Sequence, residues 1–459
     1  MADLNGRDLW VCALLLMVMV GELMGRALGT AWAELIAYAA MVMLIPMAAH
    51  RLGGREAYLL SLCAGLTGLV LWLHPDPRAA LDAAFAQAAF LMAFILLLSL
   101  VQEAATTSRD VAETGMWLTR QPPGRRCLTL FGGTNLMGVL FNLGVVSLLA
   151  PLIRRGVEEA APGDPLNPVR ERRQLNAMLR GFAWCVVWSP TAIAPLALLE
   201  LIEGIDRGRW IVLGFALTLA ILALAWIEDR IAWRHLVPRR RVADPVPRRA
   251  VLGFATVCAV LLGLTLVAMA LSGGSVVLGL MLACPVLMLG WLAVQDRDRL
   301  APRIAEVLGP RLVISAPLAV TLACSGYLGR AAAQLIPAQQ VAEAIGLASL
   351  PPAVFLTSLA VAVAVFSQFG LSPIMMAVFF GSLLGALPSL PADPTLTALA
   401  IASGWGLSMT SSPFATVVLL TARTTGHSGR ELTWGWNLPF TSLSILVLAV
   451  VFHGLTLVG

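Results

Sequence analysis

The sequence predicts an all-α polytopic membrane protein with about eleven transmembrane helices and two re-entrant hairpins, arranged as two inverted repeats. Three observations predict it. Of the 459 residues, 59% are hydrophobic and only 12% charged, too little charge to cover a soluble protein of this length. Apolar runs of about 20 residues, long enough to cross a bilayer, recur from end to end. Two of these runs carry a Ser-Pro break, and each lies downstream of an apolar stretch interrupted by Gly and a side-chain amide. Helices rather than barrel strands are expected, because a spanning helix satisfies its own backbone in lipid. Barrel strands show short alternating segments instead.

In chain order the spanning candidates are Leu9–Leu28, Thr30–His50, Ala57–His74, Ala84–Val101, Gly181–Leu201, Trp210–Trp233, Val251–Leu271, Ser275–Val294, Leu312–Gly329, Thr395–Leu420 and Trp434–Leu457. Two stretches fit poorly as single spans. Residues 128–153 are broken by Gly132-Gly133, Asn142 and Gly144, and residues 350–387 by Ser367-Gln368, Gly370, Ser372 and Pro373. Polar and helix-breaking residues in mid-run suit a hairpin whose tip is buried in protein.

Charge placement supports that count. Every basic residue other than His is Arg. With the N-terminus inside and both hairpins returning to the side they entered, 26 of the 31 Arg fall on the inner side. Only Arg26, Arg78, Arg207, Arg209 and Arg330 fall outside. The positive-inside rule favours this arrangement, with the C-terminus outside. The clusters Arg239-Arg240-Arg241 and Arg248-Arg249 read as topology signals, not as a nucleic-acid surface. The first apolar run lacks a small-residue cleavage site and reads as a span.

The expected organisation is an extra span over 1–29, a first repeat over 30–234, a cytoplasmic linker over 235–250 and a second repeat over 251–459. Each repeat has three spans, an amphipathic connector (near Glu103–Arg125 and Ala331–Gly346), a hairpin, a broken span and a final span. The repeats enter the bilayer from opposite sides, hence inverted. Trp188-Ser189-Pro190-Thr191-Ala192 parallels Ser411-Ser412-Pro413-Phe414-Ala415, and Phe141-Asn142-Leu143-Gly144 parallels Ser367-Gln368-Phe369-Gly370.

Binding chemistry is expected at these places. Pro190 and Pro413 each remove one helix hydrogen bond, and Ser189, Thr191, Ser411, Ser412 and Thr416 supply hydroxyls. Half-helix N-termini suit an anion and unwound carbonyls suit Na⁺. Asn142 and Gln368 carry donors and acceptors, while Gly144 and Gly370 let the chain turn beside them. Trp188 forms an apolar wall. Trp72, Trp210, Trp233 and Trp434 read as interfacial belt residues. The acids Glu22, Glu34, Glu103, Glu200, Glu228 and Asp229 lie near span ends, so a carboxylate proton relay beside the breaks is not expected.

These features resemble the ion transporter superfamily, and most closely the divalent anion/sodium symporters, with citrate and arsenite transporters more distant. In those symporters each hairpin tip carries Ser-Asn-Thr, which binds a carboxylate. Asn142 matches, with Pro151 nine positions on, but Phe141 and Leu143 replace the flanking hydroxyl residues. The second tip reads Ser367-Gln368-Phe369, so the two-carboxylate clamp is incomplete. The resemblance implies a homodimeric secondary transporter of the inner membrane with an elevator mechanism. It would move a small anionic solute, a carboxylate or an oxyanion, with Na⁺ or H⁺ as coupling ion. A proton-coupled antiporter or efflux permease is the alternative. No HExxH, clustered acid set or GxxxxGK[ST] signature is present, which disfavours an intramembrane enzyme or direct ATP use. The seven scattered Cys and five His form no ligand spacing, so no metal site or other cofactor is expected.

Overall fold

The computed structural model describes residues 5–236, 244–273 and 275–458. Among these residues every regular element is helical. The chain runs α1 (Gly6–Leu28), α2 (Ala31–Ala48), α3 (Gly54–Leu73), α4 (Pro77–Thr106), α5 (Arg109–Thr119), α6 (Pro123–Phe141), α7 (Gly144–Ala160), α8 (Asn167–Cys185), α9 (Ile193–Leu201) and α10 (Arg207–Ala232). It continues through α11 (Arg248–Leu271), α12 (Val276–Gln295), α13 (Leu300–Glu306), α14 (Leu312–Ile314), α15 (Ala316–Gln334) and α16 (Ala338–Ala344). Last come α17 (Pro352–Phe366), α18 (Pro373–Gly385), α19 (Pro394–Ser411), α20 (Thr416–Thr425) and α21 (Leu438–Val458).

Capping chemistry sets several of these boundaries. Asn5, Asp76, Asp206, Ser275 and Asp393 each accept a first-turn N–H from their own helix, and Pro77 and Pro394 open theirs. A side-chain acceptor at this position satisfies a donor the helix itself leaves free, and Pro in the first turn forfeits no bond. Gly29 ends α1 in the left-handed conformation.

Among the described residues, nine helices are long and apolar enough to cross a membrane, and the chain is a polytopic membrane protein. The elements differ from expectation in five places. Two of the eleven expected spans, Gly181–Leu201 and Thr395–Leu420, are not among the nine, since each is split, into α8 and α9 and into α19 and α20. The span expected over Leu312–Gly329 belongs to a longer run bent by 57° at Ser315, where α14 gives way to α15. The segment Pro352–Phe369, expected as half of a hairpin, is itself long and apolar enough to cross. The first hairpin is longer than 128–153, since α6 and α7 occupy 123–160. The helix after the linker begins at Arg248, inside the expected 235–250, while Arg239-Arg240-Arg241 lies outside the described residues.

The helices gather into two compact units, each drawing on both halves of the sequence. One comprises 1–108 and 254–337. Its core is α4, 89% of whose apolar window is buried, against 11% for α3. Close approach to α4 is allowed by Gly326 of α15, where a Cβ would meet the Gln87 carbonyl at 3.0 Å. The other unit comprises 109–253 and 338–459 and holds both hairpins and both Ser-Pro breaks.

Candidate functional site

The break between α8 and α9 and the break between α19 and α20 have the same local geometry. Ser189 N–H donates to the Cys185 carbonyl (3.0 Å) and Ser412 N–H to the Ser408 carbonyl (2.8 Å), the last helical bond in each case. Pro then interrupts the ladder. Ala192 N–H closes a turn onto the Ser189 carbonyl (3.1 Å), and Ala415 N–H onto the Ser412 carbonyl (3.2 Å). Ser189 Oγ accepts from Thr191 N–H (3.4 Å), and Ser412 Oγ from Phe414 N–H (3.2 Å). A turn with Pro at its second position and a Ser hydroxyl bonding two residues on explains why Ser-Pro stops the helix at this residue.

Each break also reaches the tip of a hairpin. Thr191 donates its hydroxyl to the Val139 carbonyl near the end of α6. Ser412 donates to the Ser367 carbonyl at the end of α17, at 2.6 Å. Both Ser residues and Thr191 are buried. The helices behind them cross at glycine. A Cβ on Gly181 of α8 would run into the Phe131 carbonyl of α6, and one on Gly404 of α19 into the Ala360 carbonyl of α17. Each glycine stands eight positions before its Ser-Pro serine. Helices α8 and α19 in turn meet at Gly406, where a Cβ would lie 3.1 Å from the Ala183 carbonyl.

The two tips are unlike. At the first, Asn142 follows α6 with φ +45°, the single non-glycine residue with positive φ among those described. With ψ −129° it lies outside the left-handed helical region that Asn tolerates, so the conformation is strained. Its half-buried amide makes no hydrogen bond among the described residues. Gly144 begins α7. At the second tip, Gly370 turns the chain with φ +81°. The Gln368 amide is committed there: Nε2 donates to Ser411 Oγ (3.0 Å) and to the Ala364 carbonyl (3.0 Å), and Oε1 accepts from Trp434 Nε1 (3.1 Å). The amide expected to read a solute is thus closed on its own surroundings. Phe369 and Phe414 are exposed beside it. Thr416 opens α20 with its side chain half-buried.

Two tryptophans expected in the interfacial belt also bond here. Trp434 holds Gln368, as above. Trp210 is 2% exposed and donates Nε1 to the Val187 carbonyl (2.8 Å), a group that the break in α8 frees. Thr218 of the same helix α10 donates to the Trp184 carbonyl (3.1 Å). These donors occupy carbonyls that a break in the helix would otherwise leave free for a cation. Asn135, not singled out from the sequence, links the hairpin to the break: its amide donates to the Gly181 carbonyl (2.9 Å) and accepts from Trp188 Nε1 (3.0 Å). Phe215 packs edge-on against Trp188 at 4.9 Å.

Ionic groups lie deeper in this unit than loop charges would. Arg180, counted with the inner loop, is 3% exposed inside α8. It donates to Glu228 (2.7 Å) and to Asn437 Oδ1 (2.8 Å), and its guanidinium lies 4.1 Å from the Phe440 ring centroid.

The fold has counterparts of known structure. The YdaH transporter of Alcanivorax borkumensis aligns with a TM-score of 0.58 and 15% identity, over 88% of this chain and 98% of its own. MtrF of Neisseria gonorrhoeae, described as illuminating a class of antimetabolite efflux pumps, aligns with a TM-score of 0.50 and 14% identity, over 87% of this chain and 94% of its own. The fold is shared with membrane transporters. No family model matches the chain, and no curated protein matches it.

Proposed function

We propose that this protein is a secondary active transporter of a small anionic solute, a carboxylate or an oxyanion, coupled to Na⁺ or H⁺. The observation that carries the reading is the pair of like Ser-Pro turns, each bonded to a hairpin tip in one compact unit. Broken helices expose N–H groups and hydroxyls inside a membrane protein, where an anion gains from the positive helix ends. Solute contacts are assigned to Asn142, Gly144, Ser189, Thr191, Ser367, Gly370, Ser411, Ser412 and Thr416, with Gln368 and Trp434 bracing the second tip and Pro190 and Pro413 creating the breaks. The unit holding all of them moves as a block in an elevator cycle, and the other unit serves as scaffold and homodimer interface. The chain is read as two inverted repeats in the inner membrane, with its N-terminus cytoplasmic.

A second reading, proton-coupled efflux, is favoured by one specific observation. The Val187 and Trp184 carbonyls, which the first break makes available to a cation, are taken by Trp210 and Thr218. That leaves fewer oxygens for Na⁺.

Proteoliposome flux separates the readings. Purified protein is reconstituted and challenged with mono-, di- and tricarboxylates and oxyanions under an imposed Na⁺ or pH gradient. Na⁺-driven uptake of an anion supports symport, and solute movement against an opposing proton gradient supports efflux. Asn142→Ala and Ser412→Ala are each expected to cut the rate at sub-saturating solute about tenfold or more, the equivalent of one lost polar contact. Unchanged flux in both variants would remove the site from the hairpin tips.

A further inference from the structure

Arg172, near the start of α8, stands apart from its basic neighbours. Arg170 is paired with Asp164 (2.9 Å), Arg173 with Asp229 (2.7 Å) and Arg180 with Glu228 (2.7 Å). Among the described residues Arg172 has no carboxylate partner and no hydrogen bond, and its Nε is buried without an acceptor. The guanidinium lies between two indoles, 5.5 Å from the ring centroids of both Trp233 and Trp436. The carboxylates within electrostatic reach, Glu228 and Glu431, are already engaged by Arg180 and by His427 at 3.2 Å. An arginine that merely snorkels carries its polar head to water. Arg172 carries its two Nη groups to the surface but keeps Nε out of water, which is costly unless an acceptor is bound.

The depth of the site names the acceptor. Trp233 is the residue that ends the apolar helix α10, and Trp436 stands two residues before the last apolar helix, α21. Tryptophans at span ends sit at the level of the lipid headgroups. The same end of the unit carries two further pairs, Arg230 over Trp226 (4.6 Å) and Arg430 over Trp434 (5.7 Å). At that level the abundant acceptor is a phosphodiester, and a planar guanidinium bonds phosphate oxygens in pairs.

We propose that Arg172, flanked by Trp233 and Trp436, binds the phosphodiester of an anionic membrane lipid. The site uses none of the residues assigned to the solute and does not depend on which solute is carried. Its test is the thermal stability of detergent-solubilised protein with added phosphatidylglycerol, phosphatidylcholine or inorganic phosphate. A ligand that binds the folded state raises the apparent melting temperature by mass action. Phosphatidylglycerol is expected to raise it by a few degrees in the wild type, and phosphatidylcholine and inorganic phosphate to leave it unchanged. Arg172→Gln should lose more than about half of the phosphatidylglycerol rise, because one protein group supplies most of the phosphate bonding. An equal rise in Arg172→Gln overturns the proposal. So does an equal rise with phosphatidylcholine, or a rise with inorganic phosphate alone, which would make it a free-anion site. If Arg172→Gln does not fold, Arg172→Lys decides. A single ammonium cannot reproduce the paired donors, so its shift should be smaller than in the wild type, and an undiminished shift also overturns the assignment.

Discussion

Asn135 satisfies two polar groups that the first break brings together, the Gly181 carbonyl and the Trp188 indole N–H. The first is buried and the second part-buried, and a buried donor or acceptor left unbonded costs about 1–3 kcal/mol. Asn135→Ala should therefore lower stability by about that amount, read as a fall in unfolding midpoint, with altered Trp188 fluorescence as the indole loses its acceptor. Trp434→Phe removes one of four bonds on Gln368 at an exposed edge. It should cost only about 0.5–1.5 kcal/mol, while changing the apparent solute affinity in flux measurements. The Ser-Pro serines were legible in the sequence because proline's missing N–H acts on its own helix. Their partners were not. Trp188 and Asn135 are 53 positions apart, and Trp434 and Gln368 are 66. An aromatic residue near a span end reads as a belt residue until packing shows what its N–H meets, as it does for Trp210 and Trp434.

Between elements, the broken helices dock where glycine removes the side chain. Helix α18 lies on α9 through Gly381 and Gly385, and a Cβ on Gly385 would collide with the Leu201 carbonyl oxygen. Backbone cannot yield as a side-chain tip can, so Gly385→Ala should destabilise by about 1–3 kcal/mol. Gly132 of α6 is the control, with nothing within 4 Å of its would-be Cβ. Ala there removes a helix-interior glycine and should be neutral or stabilising by up to about 1 kcal/mol. Parallel unfolding curves of the two variants test the contrast, and equal effects would mean that the α9–α18 approach is looser than described. Hairpins and breaks could be read from Gly, Pro and amide residues inside apolar runs. The glycine crossings could not, because a glycine in a membrane helix looks the same whether it faces lipid or a neighbouring backbone: Gly132 and Gly133 are adjacent, yet a Cβ on Gly133 alone would strike Leu118.

At the scale of the whole molecule, the transport reading requires the hairpins and breaks to travel together. Helix α18 comes from the second half of the sequence and α9 from the first, yet both lie in one compact unit. Their contact is a direct way to ask whether that unit moves as a block. An ideal Cβ on Gly381 would stand 3.3 Å from Leu201 Cβ, within a few tenths of an ångström of the separation at which disulfides form. The double variant Gly381→Cys with Leu201→Cys, in a background with the seven native cysteines replaced, should therefore oxidise with mild catalysis. Loss of thiol labelling reports the bond. If the unit is one moving body, the cross-linked protein keeps most of its flux in proteoliposomes, since no contact within the block changes during the cycle. If oxidation stops flux and reduction restores it, α9 and α18 must part during transport. The moving element is then smaller than the compact unit, with one hairpin working as a gate rather than as cargo of the elevator.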